Sequence, residues 1–281
     1  MTKQLDLNDY KQGIADVYNR RSQTYDDSEW HLLICQRLLE YSLIRSGKHI
    51  LDIGVGTGHI AIEAARIVGD GGRVVGIDIS SGMLEQARCK VEALGLNNVE
   101  FQLADAESLN FPANSFDQIL CANTFPWIED KEATLRQWIR FLKPGGVIGI
   151  HTPADTAYVG YVVLLEVLEK YGVLLEASNR IGTLETCQSL FEDAGFEAIK
   201  IKTEQHGSYI GLEQAKATWE GISRPPQGKY RNFSSKLSSE QLAQAKAEFE
   251  AKLEALQTDQ GVWDELTTWY VIGRKPETKI L

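Results

Sequence analysis

The chain has 281 residues, of which 43% are hydrophobic and 24% charged, enough for one large α/β domain or for a domain with a substantial insertion. Its 29 basic and 39 acidic residues give a formal net charge of −10, which argues against broad binding to nucleic-acid phosphates. The four cysteines show no C-x-x-C spacing, and neither an apolar leader segment nor a run long enough to span a bilayer is present. We therefore expect a soluble, cytoplasmic protein with free thiols and no nucleic-acid partner.

Two helices are predicted before the first strand. Asn8 is a candidate N-cap for the first helix, and residues 30–44 carry leucines at helical spacing for the second. Between them, Tyr18 and Tyr25 flank a basic and polar stretch that ends at Asp26. The two tyrosines either close over a ligand or simply pack a helix and lie on the surface.

The most informative stretch, residues 49–65, reads HILDIGVGTGHIAIEAA. A short apolar strand is followed by three alternating glycines and then by apolar residues at helical spacing. Such a turn lets the backbone approach a ligand closely, with helix N–H groups directed at it. A dinucleotide-binding turn is one alternative, but this chain has His59 in place of its third glycine and Asp52 where an apolar residue is usual. An ordinary tight turn is the other.

The second predicted strand, residues 72–78, is apolar and ends in an acid. Asp78 lies about twenty residues after the glycine turn, where a strand-end carboxylate can accept hydrogen bonds from both hydroxyls of a ribose. Ile79 follows it, and a serine at 80 or 81 caps the next helix. Met83, on the first turn of that helix, is placed either to contact an adenine face or to fill the core.

Two more strand ends follow the same rhythm. Residues 98–104 form a third strand that leads into Asp105 and Ala106, and residues 116–121 form a fourth that leads to Asn123. A helix over 131–142 stops at Lys143-Pro144-Gly145-Gly146, because proline halts a helix and glycines reverse the chain. Strands alternating with helices in this way predict a parallel sheet with right-handed crossovers.

Three of these stretches carry a resemblance to a known family. Asp52-Ile53-Gly54-Val55-Gly56-Thr57-Gly58 resembles the first motif of the class I S-adenosylmethionine-dependent methyltransferases, and LKPGG resembles the signature after their fourth helix. Residues 18–26 are similar to a stretch that folds over the cofactor in ubiquinone and menaquinone methyltransferases. The resemblance implies a Rossmann-like, seven-stranded, mostly parallel sheet with helices on both faces and an antiparallel last strand.

The resemblance also implies the cofactor S-adenosyl-L-methionine and the product S-adenosyl-L-homocysteine. The methionine part would lie at the glycine turn, the ribose at Asp78 and the adenine at Asp105. No cluster has metal-ligand spacing, so no metal is expected. The predicted cofactor-binding residues are Tyr18, Tyr25, Asp52, Gly54, Gly56, Asp78, Ile79, Met83, Asp105, Ala106 and Asn123.

The cofactor of this family carries the reactive methyl group, so the protein has to align a nucleophile and exclude water. His151, after the fifth strand, is the first candidate for a general base, and Tyr25 is a second candidate for a base or a positioning group. The alternative is that His151 only stabilises its turn. An acceptor pocket for a partly hydrophobic molecule is predicted at His31, Phe125, Trp127 and Tyr158.

The last third of the chain departs from the regular pattern. Residues 161–177 predict a very apolar helix, 196–204 a sixth strand and 266–274 the last strand. Residues between them predict a long amphipathic helix with a capping box at Ser238 and Gln241. The domains follow from this pattern: an N-terminal helical lid, 1–47; a cofactor-binding core, 48–206 and 261–275; and a helical cap insertion over the acceptor site, 207–260.

The predicted function is methylation of a small, partly hydrophobic acceptor, such as a quinone precursor or a secondary metabolite, at carbon, oxygen or nitrogen. Methylation of RNA or protein is an alternative that the acidic composition disfavours. A methyltransferase-like domain that binds without catalysis is another. Either a monomer or a homodimer is expected.

Overall fold

A computed structural model describes residues 5–173, 182–223 and 236–277. By its contacts the chain divides into two compact units. The first comprises Met1–Thr152, Leu184–Lys202 and Trp269–Leu281, and the second comprises Pro153–Thr183 and Thr203–Thr268. The lid, core and cap named from the sequence stay a prediction, because this division groups residues by contact and not by role.

The strands fall into two sheets. In chain order they are β1 (His49–Ile53), β2 (Arg73–Asp78), β3 (Val99–Leu103), β4 (Phe116–Ala122), β5 (Leu142–Pro153), β6 (Glu197–Glu204), β7 (Gly207–Ile210), β8 (Gln257–Thr258), β9 (Gly261–Glu265) and β10 (Thr268–Arg274). The larger sheet has the order β3-β2-β1-β4-β5-β10-β6, and the smaller has β7-β9-β8. Parallel pairing joins β3 to β2, β2 to β1, β1 to β4 and β4 to β5. The predicted seven-stranded, mostly parallel sheet with one antiparallel strand is confirmed.

The helices in the described residues begin and end close to the predicted bounds. They are α1 (Asp9–Arg21), α2 (Glu29–Ser42), α3 (His59–Val68), α4 (Ser81–Ala93), α5 (Lys131–Phe141), α6 (Val159–Lys170), α7 (Leu184–Asp193), α8 (Leu212–Ser223) and α9 (Ser239–Ala255). Two short 3-10 turns cover Tyr25–Asp27 and Phe125–Trp127. Of the apolar helix predicted over 161–177, residues 174–177 lie outside the described residues.

Three helices begin at the caps that the sequence indicates. The Asn8 side chain accepts from the Lys11 N–H, and Ser80 accepts from the Met83 N–H. At the start of α9, Ser238 and Gln241 form the reciprocal bonds of a capping box. Each cap satisfies a backbone donor that has no partner inside its helix, which stabilises the helix by about 1 kcal/mol.

The core of the first unit explains why its central strands β1, β2 and β4 are largely apolar, whereas β6 at the edge of the sheet is mostly exposed. Helices cover the sheet, so residues pointing to either side are buried, as is usual for parallel strands. The cluster around α3 is made of Leu38, Ile50, Val55, Ile60, Ala61, Ala64, Ala65, Val68, Val74, Leu84, Leu120 and Tyr270. Parallel pairing of β2, β1 and β4 brings their C-terminal ends, and the loops after them, to one edge of the sheet.

The second unit has its own apolar core and a small antiparallel sheet. Helices α6, α8 and α9 contribute the cluster of Val163, Leu164, Val167, Leu168, Val173, Ala215, Trp219, Leu237, Ala245, Phe249 and Leu253. The sequence predicts the helices here but not β7, β8 or β9, because strands of two to five residues carry too few alternations to be recognised. Within the described ranges, no helix has the length and apolar character needed to cross a membrane.

The turn after β1 depends on a residue without a side chain. Gly54 has a φ of +69°, and a Cβ placed there would overlap Thr124 Oγ1 and lie 2.6 Å from Thr124 Cβ. Gly95, after α4, has a similar φ of +66° but nothing within 4 Å of the corresponding position. Comparing the same substitution at these two positions therefore separates the cost of backbone strain from the cost of steric overlap.

We expect Gly54→Ala to lower the free energy of unfolding more than Gly95→Ala does. The left-handed backbone alone costs an alanine about 1–2 kcal/mol, and overlap with Thr124 raises the loss at position 54 to about 3 kcal/mol or more. Chemical denaturation of both variants measures the difference. Equal losses would show that the loop after β4 moves freely away from the turn.

Candidate functional site

A cleft with an empty volume of about 700 Å³ lies in the first unit, at the edge where β1, β2 and β4 end. Parallel α/β sheets commonly bind ligands at this edge. The cleft brings together ten of the eleven predicted cofactor-binding residues, and Trp127 with them. Its lining is Lys11, Ile14, Tyr18, Tyr25, Gly54, Gly56, Ile77, Asp78, Ile79, Met83, Ala104, Asp105, Ala106, Glu107, Ala122, Asn123, Thr124, Trp127 and Ile128.

Asp78 connects the glycine turn to the end of β2. Its Oδ2 accepts from the Gly56 N–H at 2.9 Å, and its Oδ1 accepts from the Ser80 N–H at 2.8 Å. Burial raises the pKa of Asp78 to about 6, although the N–H groups of Ser80, Gly56 and Ile79 act in the opposite direction. The carboxylate is therefore ionised at neutral pH and becomes protonated as the pH falls through 6.

Asp52, the eleventh predicted residue, lines a smaller recess beside the cleft. Its side chain is buried, and its Oδ2 has no hydrogen-bond partner among the described residues. Burial raises the pKa of Asp52 to about 8; the charge of Asp78 adds to this shift and the Ala61 N–H opposes it. The recess is lined by Tyr25, His31, Ile34, Cys35, Asp52, Gly54, Val55, Gly56, Thr57, His59, Ile60, Ala122 and Asn123.

At another part of the cleft, Lys11 holds two carboxylates. Its Nζ lies 2.7 Å from Asp105 Oδ2 and 2.9 Å from Glu107 Oε2. Burial lowers the pKa of Lys11, but its hydrogen bonds to these two acids raise the pKa by a larger amount, so the net shift is upward. The adjacent Tyr10 O–H donates to the Trp127 carbonyl at 3.1 Å. Helix α1 thus contacts both the loop after β3 and the loop after β4.

An aromatic group lines the cleft beside the glycine turn. The Tyr18 ring lies 6.1 Å from that of Tyr25 and 6.2 Å from that of Trp127, edge to face in both cases. Tyr25 stacks on His31 at 4.1 Å, with 6° between the ring planes. The Arg21 guanidinium lies 5.6 Å from the centre of each tyrosine ring. Burial raises the pKa of Tyr25 well above its ordinary value, so its phenol remains protonated.

Of the remaining predicted site residues, His31 lines the recess, and the other three lie outside both the cleft and the recess. His151 is fully buried on β5, with its ring 5.0 Å from that of Tyr270. Phe125 is fully buried and packs against Trp138 and Phe191. Tyr158 belongs to the second unit, where it is 40% exposed. Their roles in catalysis and acceptor binding stay predictions.

The sequence did not indicate four residues that shape this site. Lys11 contacts Asp105 and Glu107, and Thr124 fills the space beside Gly54. Asn19 and Asp26 tie residues 18–26, the tyrosine segment, to the sheet edge. Their partners lie 31 or more residues away along the chain, and no local pattern encodes such contacts. In the described part of the chain, no group of three or more His, Cys, Asp or Glu side chains is arranged to hold a metal ion.

Comparison with known proteins identifies the family to which this geometry corresponds. A family model described as a methyltransferase domain matches residues 44–194. The ubiquinone/menaquinone biosynthesis C-methyltransferase UbiE of Pseudoalteromonas translucida is 33% identical over 213 residues, which cover 68% of this chain and 85% of that protein. The protein of the same name from Cronobacter sakazakii is 34% identical over 209 residues, covering 66% and 83%.

Two solved structures share the fold. The YcgJ protein of Bacillus subtilis superposes with a TM-score of 0.58 at 21% identity, over 89% of this chain and 100% of that one. Haemonchus contortus phosphoethanolamine N-methyltransferase 2, in complex with phosphomonomethylethanolamine and S-adenosylhomocysteine, gives 0.54 at 25% identity, over 89% and 53%.

The strand-end carboxylate generates a prediction about pH. We expect the affinity for S-adenosylhomocysteine to fall as the pH decreases through 6, because a protonated Asp78 loses acceptor capacity, and each further pH unit reduces its ionised fraction about tenfold. Asp78→Asn should bind more weakly and lose the part of this pH dependence that is centred on 6, while the part that arises from Asp52 remains. Asp78→Ala should lose about 1–3 kcal/mol of binding free energy without unfolding. Calorimetry between pH 5 and 8 measures both, with the exposed Asp70→Asn as control. Unchanged affinity in both Asp78 variants would show that another residue binds the ribose.

Proposed function

Since this chain belongs to the methyltransferase-domain family and is an S-adenosylmethionine-dependent methyltransferase, we propose that it methylates a small, partly hydrophobic molecule of the quinone-precursor type. The observation that carries the proposal is the match to relatives named for C-methylation in ubiquinone and menaquinone biosynthesis, over two thirds of this chain. The acidic net charge also favours a small acceptor over a polyanionic one.

The residues of the cleft and recess fit S-adenosylmethionine. The unpartnered, buried Asp52 Oδ2 suits a positively charged amino group, which would satisfy it and favour its ionised form. Gly54 and Gly56 leave room for the ligand at the turn, Asp78 is placed for the ribose hydroxyls, and Asp105 for an adenine amino group. These are the residues that would hold the cofactor.

S-Adenosylmethionine supplies an electrophilic methyl group on its sulfonium when it is bound. The work left to this chain is to bind, orient and exclude water. Tyr18, Tyr25 and Trp127 line the cleft with large aromatic surfaces, which would exclude water from the reacting groups. Tyr25, with its raised pKa, is suited to donate a hydrogen bond and not to remove a proton.

An aromatic carbon becomes a better nucleophile when a neighbouring hydroxyl loses its proton, so C-methylation calls for a base. His31 lies in the recess and is the best-placed residue there, because burial keeps its pKa below the ordinary 6.5 and the ring is neutral at pH 7. Its Nδ1 lies 3.3 Å from the Tyr25 carbonyl oxygen. With Nδ1–H donating to that oxygen, Nε2 carries the lone pair that accepts the proton.

The acceptor proposal is tested by transfer of an isotopically labelled methyl group from S-adenosylmethionine. We expect incorporation into hydroxylated quinone-type rings that carry an apolar substituent, and none into RNA or protein. Product analysis by NMR distinguishes a new carbon–methyl bond from methylation at oxygen or nitrogen. Turnover restricted to amines would refute the quinone-type acceptor while leaving the family assignment intact.

The proposed base generates a separate prediction. We expect His31→Gln to lower kcat at least tenfold and to remove the fall in rate seen at low pH, since the wild-type base works only above its depressed pKa. The affinity for S-adenosylhomocysteine should remain close to that of the wild type. His49→Gln, at an exposed position at the start of β1, is the matched control. A wild-type pH–rate profile in His31→Gln would transfer the role to another group.

We also propose that the 207–260 segment and Tyr158 serve the acceptor, as the sequence predicts. Tyr158 supports this because a tyrosine at a φ of +67° is under backbone strain, which is commonly retained at functional positions. Deleting the segment is a poor test, because α8 and α9 cover the apolar side of α6. A point substitution is cleaner: Tyr158→Ala should raise the KM for the acceptor about fivefold or more and leave cofactor affinity unchanged. Leu256→Ala, at another exposed position of the same unit, should change neither.

A further inference from the structure

The carboxylate of Asp26 contacts three side chains in the region after β1 and in α4. Its Oδ1 accepts from Thr57 Oγ1 at 2.5 Å and lies 2.9 Å from His59 Nε2. Its Oδ2 lies 2.5 Å from Lys90 Nζ. Thr57 belongs to the glycine turn, His59 begins α3, and Lys90 is in the last turn of α4. One acid thus ties the tyrosine segment to the turn and to both helices that follow the first two strands.

The same segment is held at a second point by Asn19. Its Oδ1 accepts from the Gly82 N–H at 2.9 Å and from Ser80 Oγ at 2.7 Å. Asn19 therefore binds the start of α4, and Asp26 binds the glycine turn and the end of α4. Tyr25 is the residue immediately before Asp26, and its Cε1 lies 3.9 Å from the position of a Cβ on Gly56.

Building on the proposed function, we propose that Asp26 is a positioning residue that holds Tyr25 over the cofactor through the Asp26 latch, defined as the contacts of Asp26 with Thr57, His59 and Lys90. The latch does not touch the reacting atoms. It fixes the backbone of a short 3-10 turn, Tyr25–Asp27, so that the Tyr25 ring forms one wall of the cleft beside the glycine turn.

The latch is stabilised because three partners contact the same carboxylate. The Asp26 side chain is 38% exposed, so each contact alone is partly screened by water. Three partners on one carboxylate share the entropy of ordering a single short side chain. Burial raises the pKa of Asp26, but its hydrogen bonds with Lys90 and Thr57 lower the pKa by more, so the carboxylate stays ionised at neutral pH. A partly exposed latch can open and close reversibly, as a segment that admits and releases a ligand must.

Opening the latch has a defined kinetic consequence. Without it, Tyr25 leaves the cleft more often, so bound cofactor or product escapes faster, while association is little affected. The chemical step should change less than binding, because the groups that hold the ribose and adenine remain in place. The latch therefore predicts a rise in the KM for S-adenosylmethionine that exceeds any fall in kcat.

The test compares two neighbouring acids of the same turn in the full-length protein. Asp27 is exposed and its side chain makes no hydrogen bond or ion pair with the other described residues, so Asp27→Ala is the matched control. We expect Asp26→Ala to release S-adenosylhomocysteine about tenfold faster in stopped-flow fluorescence, and to raise the cofactor KM by a similar factor with a smaller fall in kcat. Hydrogen exchange of residues 18–28 should also quicken in Asp26→Ala alone.

A double-mutant cycle locates the effect in the latch. Lys90→Met removes one partner, and its effect should be largely absent when Asp26 is already alanine. Wild-type release rates in Asp26→Ala, or additive effects of the two substitutions, would overturn the latch. Absence of cofactor binding in the wild type would instead overturn the proposed function. Unchanged far-ultraviolet dichroism and melting of Asp26→Ala show that release is measured on a folded protein.

Discussion

The site depends on one carboxylate that joins three parts of the chain. Asp78 accepts hydrogen bonds from the N–H groups of Gly56 and Ser80, so it holds both the glycine turn after β1 and the start of α4 in place. Ser80 also donates its hydroxyl to Asn19, which brings the tyrosine segment to the same point. The group predicted to bind the ribose is thus also the group that shapes the cleft, and a change at this position alters both.

The sequence predicted the sheet, and the residues that line the cleft at its edge, because both are encoded locally. A buried parallel strand, a glycine turn and a capped helix each leave a pattern within about ten residues, and the repetition of that pattern determines the topology. The contacts that complete the site are encoded differently. Lys11 reaches Asp105 across 94 residues, and Asp26 reaches Thr57 across 31, so only the folded chain brings these charges together.

In the second unit too, only the elements with a local sequence pattern could be predicted. The capping box of α9 and the apolar face of α6 were visible, since each follows a helical rule. The sheet β7-β9-β8 was not, because its strands are short and Tyr209 and Trp263 pair on an exposed face, so no alternation between apolar and polar residues marks them. The function that we propose for this region rests on a single position, the strained Tyr158, and not on a motif.

Ionisation of the two buried acids favours the proposed binding of the cofactor but lowers the free energy of unfolding. Asp52 and Asp78 have folded-state pKa values of about 8 and about 6, both above the ordinary 3.8. A raised carboxyl pKa gives stability that is complete below pH 3.8 and is lost as the pH rises through the folded value, so these two groups contribute least to the stability of the ligand-free protein above pH 8. With the cofactor held as we propose, a bound ammonium at Asp52 and a bound diol at Asp78 would reverse that effect, because they stabilise the ionised carboxylates. Ligand binding and folding would then be coupled through the same two side chains, and we expect the cofactor to stabilise this protein more at pH 8 than at pH 5.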